Sequence, residues 1–212
     1  MPIHEGSSPW QTSELDAVNT LLATIGSQPV NSVDAPSIDA SMAKQTLKEI
    51  SLATQAEGWY FNTDQKRVWS PDAKGEIGLP SNVLMIDNAY GIAEDRKVSP
   101  RTNPSAYNRT YLYDMTNNTF LFSRSITTKT VYAFDWKGLP QAARHYITVR
   151  AARVFQDRSV GSERHHSFTL RDEQYALAAL RRYESEVGDH SIFDDYSVYR
   201  VIDRAYPYVT GL

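Results

Sequence analysis

The chain has 212 residues, a length that suits one domain of ordinary size or one domain carrying a large insertion. With 41% hydrophobic residues it can build a real core, while a net charge of −3 argues against a dedicated nucleic-acid binder, which normally shows a strongly basic face. It has no cysteine, which excludes disulfides, thiol catalysis and thiolate metal sites.

The first ten residues, MPIHEGSSPW, do not follow the charged-then-apolar order of a signal peptide. The longest apolar runs, Val83–Ile86 and Tyr175–Leu180, are far too short to span a bilayer, so the expectation is a soluble protein. Residues 1–58 hold 2 Lys/Arg against 7 Asp/Glu, whereas residues 140–186 hold 8 against 6, so neither part is a polybasic or polyacidic tail.

The opening section reads as helical. Thr12 and Ser13 offer N-caps, and Glu14 and Asp16 put negative charge in the first turn. Leu15, Val18, Leu22 and Ile25 follow at helical spacing. Gly26 is a suitable C-cap residue, and Gln28-Pro29 disfavours continuation. A second helix is predicted from Ser37 or Asp39 with the stripe Ile38, Met42, Ala43, Leu47, Ile50 and Ala53, ended by Gly58. Both are amphipathic and need partners.

From Trp59 to Trp136 the period changes to that of a sheet, with short runs such as Val83–Asp87 and Tyr107–Asp114 separated by Pro, Gly and Asn. Tyr107–Asp114 and Thr119–Ser123 flank Met115-Thr116-Asn117-Asn118, a predicted hairpin turn because Asn tolerates positive φ. In Lys129–Trp136 alternation places Thr130, Tyr132, Phe134 and Trp136 on one face, with Val131, Ala133 and Asp135 on the other. Ala89–Ser105, with Pro100 and Pro104, reads as a long exposed loop.

Helical pattern resumes at Leu139-Pro140, Pro being tolerated at the first helical position, and runs to about Arg158. Ala143, Ile147, Ala151, Val154 and Phe155 form its stripe, with Arg144, Arg150, Arg153 and Arg158 elsewhere around it. After a polar link, Ser159–Ser167, a last helix is predicted with Thr169 as cap and Asp172 and Glu173 in its first turn. Ala176, Leu180, Tyr183 and Val187 line its inward side, and Gly188 stops it. Residues 189–212 carry Phe193, Tyr196, Tyr199, Tyr206 and Tyr208 without helical periodicity.

The predicted fold class is therefore α+β: a discontinuous four-helix bundle from residues 1–58 and 139–188, an inserted antiparallel β-rich domain over 59–138, and an extended C-terminal tail over 189–212.

Catalytic constellations are sparse. No G-x-S-x-G elbow is present, and Gly161-Ser162-Glu163 lies between two helices. His165-His166 point in different directions as neighbours, and His4, His145 and His190 are scattered, so no metal site is expected. The 10 glycines never cluster into a phosphate-binding loop, so no nucleotide cofactor is expected. Arg150, Arg153, Arg181 and Arg182 suit ion pairs with Asp157, Glu184 and Glu186 better than DNA phosphates. One enzymatic alternative stays open. Asp64, Asp72, Glu76, Asp87, Asp114 and Asp135 share the β-rich section with Trp69 and Trp136, and a glycoside hydrolase needs two converging acids beside aromatic platforms.

Two segments carry a more specific signal. Glu14–Val33, ELDAVNTLLATIGSQPVNSV, is similar to the opening of the tail tubular protein A family, the head-to-tail adaptors, or gatekeepers, of short-tailed podovirus phages. Leu47–Asn62, LKEISLATQAEGWYFN, resembles that family's second helix and its Gly-Trp motif, although the family has a basic residue where this chain has Glu57. Leu139–Asp157 and the acidic helix around Asp172–Glu186 continue the register.

The resemblance implies a structural virion protein of the tail at the head-tail interface, made in the host cytoplasm, with no enzymatic role. Its implied partners are the portal protein, the tail nozzle (tail tubular protein B), further copies of itself in an expected dodecameric ring, and the tail fibre. Viral DNA would pass through the lumen without sequence-specific binding, and no membrane contact is implied. Tyr and Phe present flat apolar surface at low entropic cost, so Phe193, Tyr196, Tyr199, Tyr206 and Tyr208 are the expected partner-binding residues.

Overall fold

A computed structural model of the chain describes residues 11–88, 97–104, 109–160 and 163–188. Four helices, α1 (Glu14–Thr24), α2 (Ile38–Ala56), α3 (Gln141–Ser159) and α4 (Glu163–Val187), are joined by five strands that all lie between α2 and α3 in the chain. The strands are β1 (Thr63–Trp69), β2 (Val83–Asn88), β3 (Val98–Asn103), β4 (Arg109–Asp114) and β5 (Ile126–Tyr132). The mixed α+β class with antiparallel sheets is as predicted.

Local signals set most helix ends. Ser13 Oγ accepts from Asp16 N at 3.1 Å and the Asp16 carboxylate accepts from Ser13 N at 3.0 Å, a reciprocal capping box. Gly26, at φ +74°, closes α1: its N–H reaches Ala23 O and that of Ser27 reaches Leu22 O. Ser37 caps α2, and Gly58 ends it at φ +78°. The Trp59 indole donates to Thr54 O at 2.7 Å and so satisfies a carbonyl at the end of that helix. A Cβ at position 58 would meet Val131 Cγ2 at 3.2 Å, on top of the cost of left-handed backbone. Gly58→Ala is expected to destabilise by about 1–2 kcal/mol, lowering Tm by roughly 3–6 °C in a melting experiment. Gly26→Ala, with open space around it, should lose less.

The helices share one core. It holds Val18, Leu21 and Leu22 from α1, Leu47 and Ile50 from α2, Ile147 and Phe155 from α3, and Leu180 from α4. Buried alanines on all four helices, among them Ala17, Ala43, Ala151 and Ala176, let the backbones come close. The predicted α2 stripe is corrected by this packing. Ile38, Met42 and Ala53 face solvent, whereas Ala40, Thr46, Ser51, Thr54 and Gln55 are buried. The buried face is turned toward α1, α3 and the sheet junction, and among its polar members Ser51 and Gln55 are bonded to each other and Gln55 also to Phe134, which hydrophobicity alone does not reveal.

A second core, Trp69, Ile77, Ile86, Val98, Leu112, Phe122 and Ile126, belongs to the β section. β5 is the centre of a three-stranded antiparallel sheet in the order β1-β5-β2, and β3 and β4 form a separate pair. Alternation along β5 turns Ile126, Thr128 and Thr130 to one side, where the Trp69 indole donates to Thr128 Oγ1 at 3.0 Å. Val131 turns to the other, against Gly58.

The β section departs from its prediction in four places. Within the expected loop Ala89–Ser105, Val98–Asn103 form β3; Pro100 is tolerated because β3 pairs on one side with β4 and stands at the edge. Residues 89–96 of that expected loop lie outside the described residues, as do Tyr107 and Asn108 of the predicted strand. The turn after β4 forms as expected, with Asn118 at φ +55°. Thr119–Ser123 does not return as a strand, because Ile77–Leu79 already occupy that flank of β4: Leu112 N donates to Ile77 O and Leu79 N to Thr110 O. The strand predicted over Lys129–Trp136 starts earlier and stops at Tyr132, beyond which Asn82 takes the backbone groups of Ala133 and the Gln55 amide those of Phe134. Finally, Thr63–Trp69 is a strand with five consecutive exposed residues, a pattern that hides its period.

Two helix boundaries are corrected as well. Pro140 sits at the N-cap rather than inside α3. The link Ser159–Ser167 is shorter than expected: no Pro or Gly stands between Gly161 and Thr169, so the backbone winds into α4 from Glu163, and Thr169 lies within the helix rather than capping it. Val187, expected inward, is exposed.

Candidate interaction surfaces

The aromatic residues expected to bind partners, Phe193, Tyr196, Tyr199, Tyr206 and Tyr208, lie outside the described residues. The surfaces that the structure does describe are a groove at one end of the bundle, an apolar face on α2, and a set of arginines.

The groove begins with Gln55. Its Oε1 accepts from Phe134 N at 2.7 Å and its Nε2 donates to Phe134 O at 3.2 Å, so one side chain continues the sheet's bonding pattern into the bundle. Asn62 Nδ2 donates to both Gln55 O (2.9 Å) and Tyr132 O (2.7 Å), which locks α2 to β5. Phe134 is thereby held with its ring about a third exposed. The chain then enters a 3-10 turn at Trp136–Gly138, where the Trp136 indole donates to Thr12 O at 2.9 Å. The guanidinium of Arg144, 4% exposed, donates from Nε to Leu139 O, from NH1 to Thr12 O and from NH2 to Lys137 O. Burial lowers the pKa of Arg144 from its ordinary value, and three carbonyls hold the charge there.

Between α2 and this connection runs an open groove of about 550 Å³ with Leu52, Phe134 and Trp136 in its apolar lining and charges of both signs around it, Lys44, Lys48 and Lys137 with Glu14 and Asp135. Lys44 is bound to Asp34 at 2.5 Å, which raises its pKa. Lys48 and Lys137 have no acid partner among the described residues. Sequence reasoning did not single this place out. Its one visible signal was that Lys44 and Lys48, the two basic residues of the first 58, are one helical turn apart.

Along α2, Ile38 (80% exposed), Met42 and Leu52 lie on a common outward face with Gln45 and Glu49 between them. Apolar side chains this exposed, repeated along one helix, mark a surface suited to a partner.

Arg150, Arg153, Arg158 and Arg182 make ion pairs within the bundle, of which Arg153 with Asp157 and Arg182 with Glu186 are the expected ones, whereas Arg181 makes none among the described residues. Arg153 donates to the Glu173 carboxylate and reaches Asp157 at 3.1 Å, and its bond to Glu173 raises its pKa. Arg150 lies 3.7 Å from Glu173 and 3.4 Å from Glu57, so the acid that departs from the family pattern has a basic partner on α3. Arg158 grips Glu49 with two bonds of 2.8 and 2.9 Å, and Arg182 lies 3.8 Å from Glu186. Glu184 accepts from Tyr60 N at 2.7 Å. Cross-helix pairs through Glu173 and Glu49 were not foreseen, since spacing within one helix carries no information about them.

The six acids proposed for hydrolysis have separate duties. Asp72 accepts from Lys74 N and Glu76 N in a turn, and Glu76 from Asn103 Nδ2. Asp114 is fully buried and accepts from Thr116 N, Asn117 N and Asn117 Nδ2. Asp64 and Asp87 are exposed on β1 and β2, and Asp135 borders the groove. Among the described residues no group of three His, Asp or Glu could hold a metal, and no helix is long and apolar enough to cross a membrane. The side chains of His165 and His166 lie outside those described.

A family model described as tail tubular protein matches residues 15–190, a span that includes nearly all of the four helices and both sheets. The chain is 25% identical over 171 residues to a protein named tail tubular protein A from Klebsiella phage KP34, covering 80% of this chain and 86% of that one.

Proposed function

The chain belongs to the tail tubular protein family, structural proteins of the phage tail, and from that premise we propose that it is the head-tail adaptor and gatekeeper of its virion. In this reading copies close into a ring, an expected dodecamer, between the portal and the tail nozzle, tail tubular protein B, with the tail fibre as a further neighbour. The ring's lumen forms part of the channel through which DNA is ejected. The observation that carries the reading is the family match, continuous from α1 through the sheets to α4.

Three features support it. The outward face of α2, with Ile38, Met42 and Leu52, provides apolar surface for a neighbour. Arg150, Arg153 and Arg158 of α3 are paired with Glu49, Glu57, Asp157 and Glu173, and Arg144 is buried on backbone carbonyls, so α3 presents no open basic face to phosphates, which suits a conduit that must let DNA slide. Two separate cores fit a helical bundle of residues 1–58 and 139–188 with a β-rich insert over 59–138, which belongs to the same proposal. Contacts to the portal or to neighbouring copies are assigned to Phe193, Tyr196, Tyr199, Tyr206 and Tyr208 in the segment 189–212.

The test is electron microscopy of the protein mixed with its cognate portal ring. A symmetric collar of new density on the tail-side end is expected, and its symmetry counts the subunits. Portals that stay bare at saturating protein would overturn the adaptor reading.

A further inference from the structure

We propose that the uncovered half of one face of the β1-β5-β2 sheet seats this chain's own segment 189–199, held through Phe193 and Tyr196 until a partner takes them. The docking stands on its own observations; only the purpose of the release rests on the adaptor reading.

The two faces of the sheet meet different surroundings. Ile126, Thr128 and Thr130 of β5 turn to the side of the second core, and Thr127, Lys129 and Val131 turn away from it. Register adds Thr63 and Val68 from β1 and Met85 and Asp87 from β2 to this other face. Val131 is fully buried there, against Gly58 at the end of α2. Four residues back along β5, about 13 Å away, Thr127 lies beside Val68, which is 57% exposed. Met85 is exposed as well. The bundle thus covers the face around Thr63 and Val131 and leaves the rest open. Lys129 and Asp87 stand opposite each other, so their charges cancel and apolar contact decides what binds.

The place where the segment leaves the bundle selects the occupant. At one end of the bundle α2 gives way to β1, and β5 leads back into α3. α4 follows α3 after the three residues 160–162 and packs along it, so it returns antiparallel to that same end. There Glu184 accepts from Tyr60 N at 2.7 Å, three positions before Thr63. Its other oxygen is buried without a partner among the described residues, and the N–H groups just after Gly188 are donors close to it along the chain. Gly188 lies about one helical turn beyond Glu184, at the rim of the open face. Phe193 comes five residues later and reaches at most about 17 Å, and Tyr196 about 27 Å, enough to meet Val68 and Met85. Ile192, Phe193, Tyr196, Val198 and Tyr199 are side chains of the kind that suit a pleated, half-buried surface. A second copy would have to arrive from solution, whereas a short tether holds the chain's own segment at a roughly millimolar effective concentration. The free chain therefore keeps covered the aromatic side chains assigned to partners, and a partner must compete for them.

The chain has no cysteine, so one introduced cysteine carries a nitroxide spin label at a single place. In the isotope-labelled full chain, a nitroxide on Thr127→Cys is expected to suppress most of the amide NMR signal of residues 189–199. A nitroxide on Ser41→Cys, exposed near the opposite end of α2, should leave that signal intact. Spin-labelled chain mixed with isotope-labelled chain should leave it intact too. Phe193→Ser/Tyr196→Ser, outside both cores, should restore the signal in the Thr127-labelled chain, as should Val68→Asp/Met85→Asp. The inference is overturned by a signal that the Thr127 label leaves untouched, that both labels suppress equally, or that the aromatic exchange fails to restore. Suppression in the mixed sample would overturn it by giving the segment to a second copy. No portal enters this measurement, so its failure leaves the collar experiment intact, and a missing collar leaves the docking result standing.

Discussion

A chain ended at Gly188 is expected to fold and to add no collar to portal rings. Folding should survive because both cores are assembled from earlier residues, none later than Leu180 among their fully buried members. α4 is also complete at that point, with Gly188 N donating to Glu184 O. Tm should therefore move by only a few degrees, the range of changes that leave the core intact. Assembly should fail because the removed segment holds Phe193 and four tyrosines, the side chains assigned to partners, and interface energy concentrates in a few aromatic anchors. The measurement pairs a melting curve with electron microscopy of the truncated protein on portal rings. A collar formed by the truncated chain would remove the tail from the assembly contacts and leave the α2 face as the surface to test. A chain that no longer melts cooperatively would assign the tail to the fold instead.

The largest stability loss from a single residue is expected at Arg144. Its guanidinium is buried and donates to the carbonyls of Leu139, Lys137 and Thr12, tying the N-terminal residues of α1 and the turn before α3 into one unit. Arg144→Met keeps most of the apolar stem and removes the donors. Thr12 O retains the Trp136 indole, whereas the bonds that Arg144 makes to Leu139 O and Lys137 O are lost outright. Two such losses cost together about 2–4 kcal/mol at the usual penalty for unsatisfied buried groups. For a chain of this length that lowers Tm by roughly 5–15 °C. Trp136 reports on the same unit, so its fluorescence should lose its ordered signal along with the melting shift. A variant that melts with wild type would mean that water replaces the guanidinium at no cost.

Arg144 also marks where reading the chain from its sequence stops. It falls off the apolar stripe of α3, and by periodicity it belongs with the surface arginines. Only the arrival of Thr12, which is 132 positions away, and of the turn at Lys137–Leu139 makes its position an interior one. Gln55 is similar: it interrupts a helical stripe, and its role depends on the backbone of Phe134, 79 positions later. The groove exists because of that pair, and this explains why its lining residues carried no motif.

One part of the molecule is governed by neighbours along the chain and is readable from them. Capping at Ser13 and Ser37, the left-handed stops at Gly26 and Gly58, the turn at Asn118 and the presence of four helices around a β-rich middle all follow from short-range sterics and hydrogen bonding. The family itself was legible in motifs of the same reach. Tertiary structure alone decided which side of α2 is buried, that Pro100 sits in an edge strand, that Thr119–Ser123 is turned away from β4 by Ile77–Leu79, and that Glu57 and Glu173 meet the arginines of α3. Each of those outcomes depends on a partner in another element, 12 positions away for Pro100 and Leu112 and 93 for Glu57 and Arg150, whose approach sets burial and charge pairing, and no local pattern encodes its position.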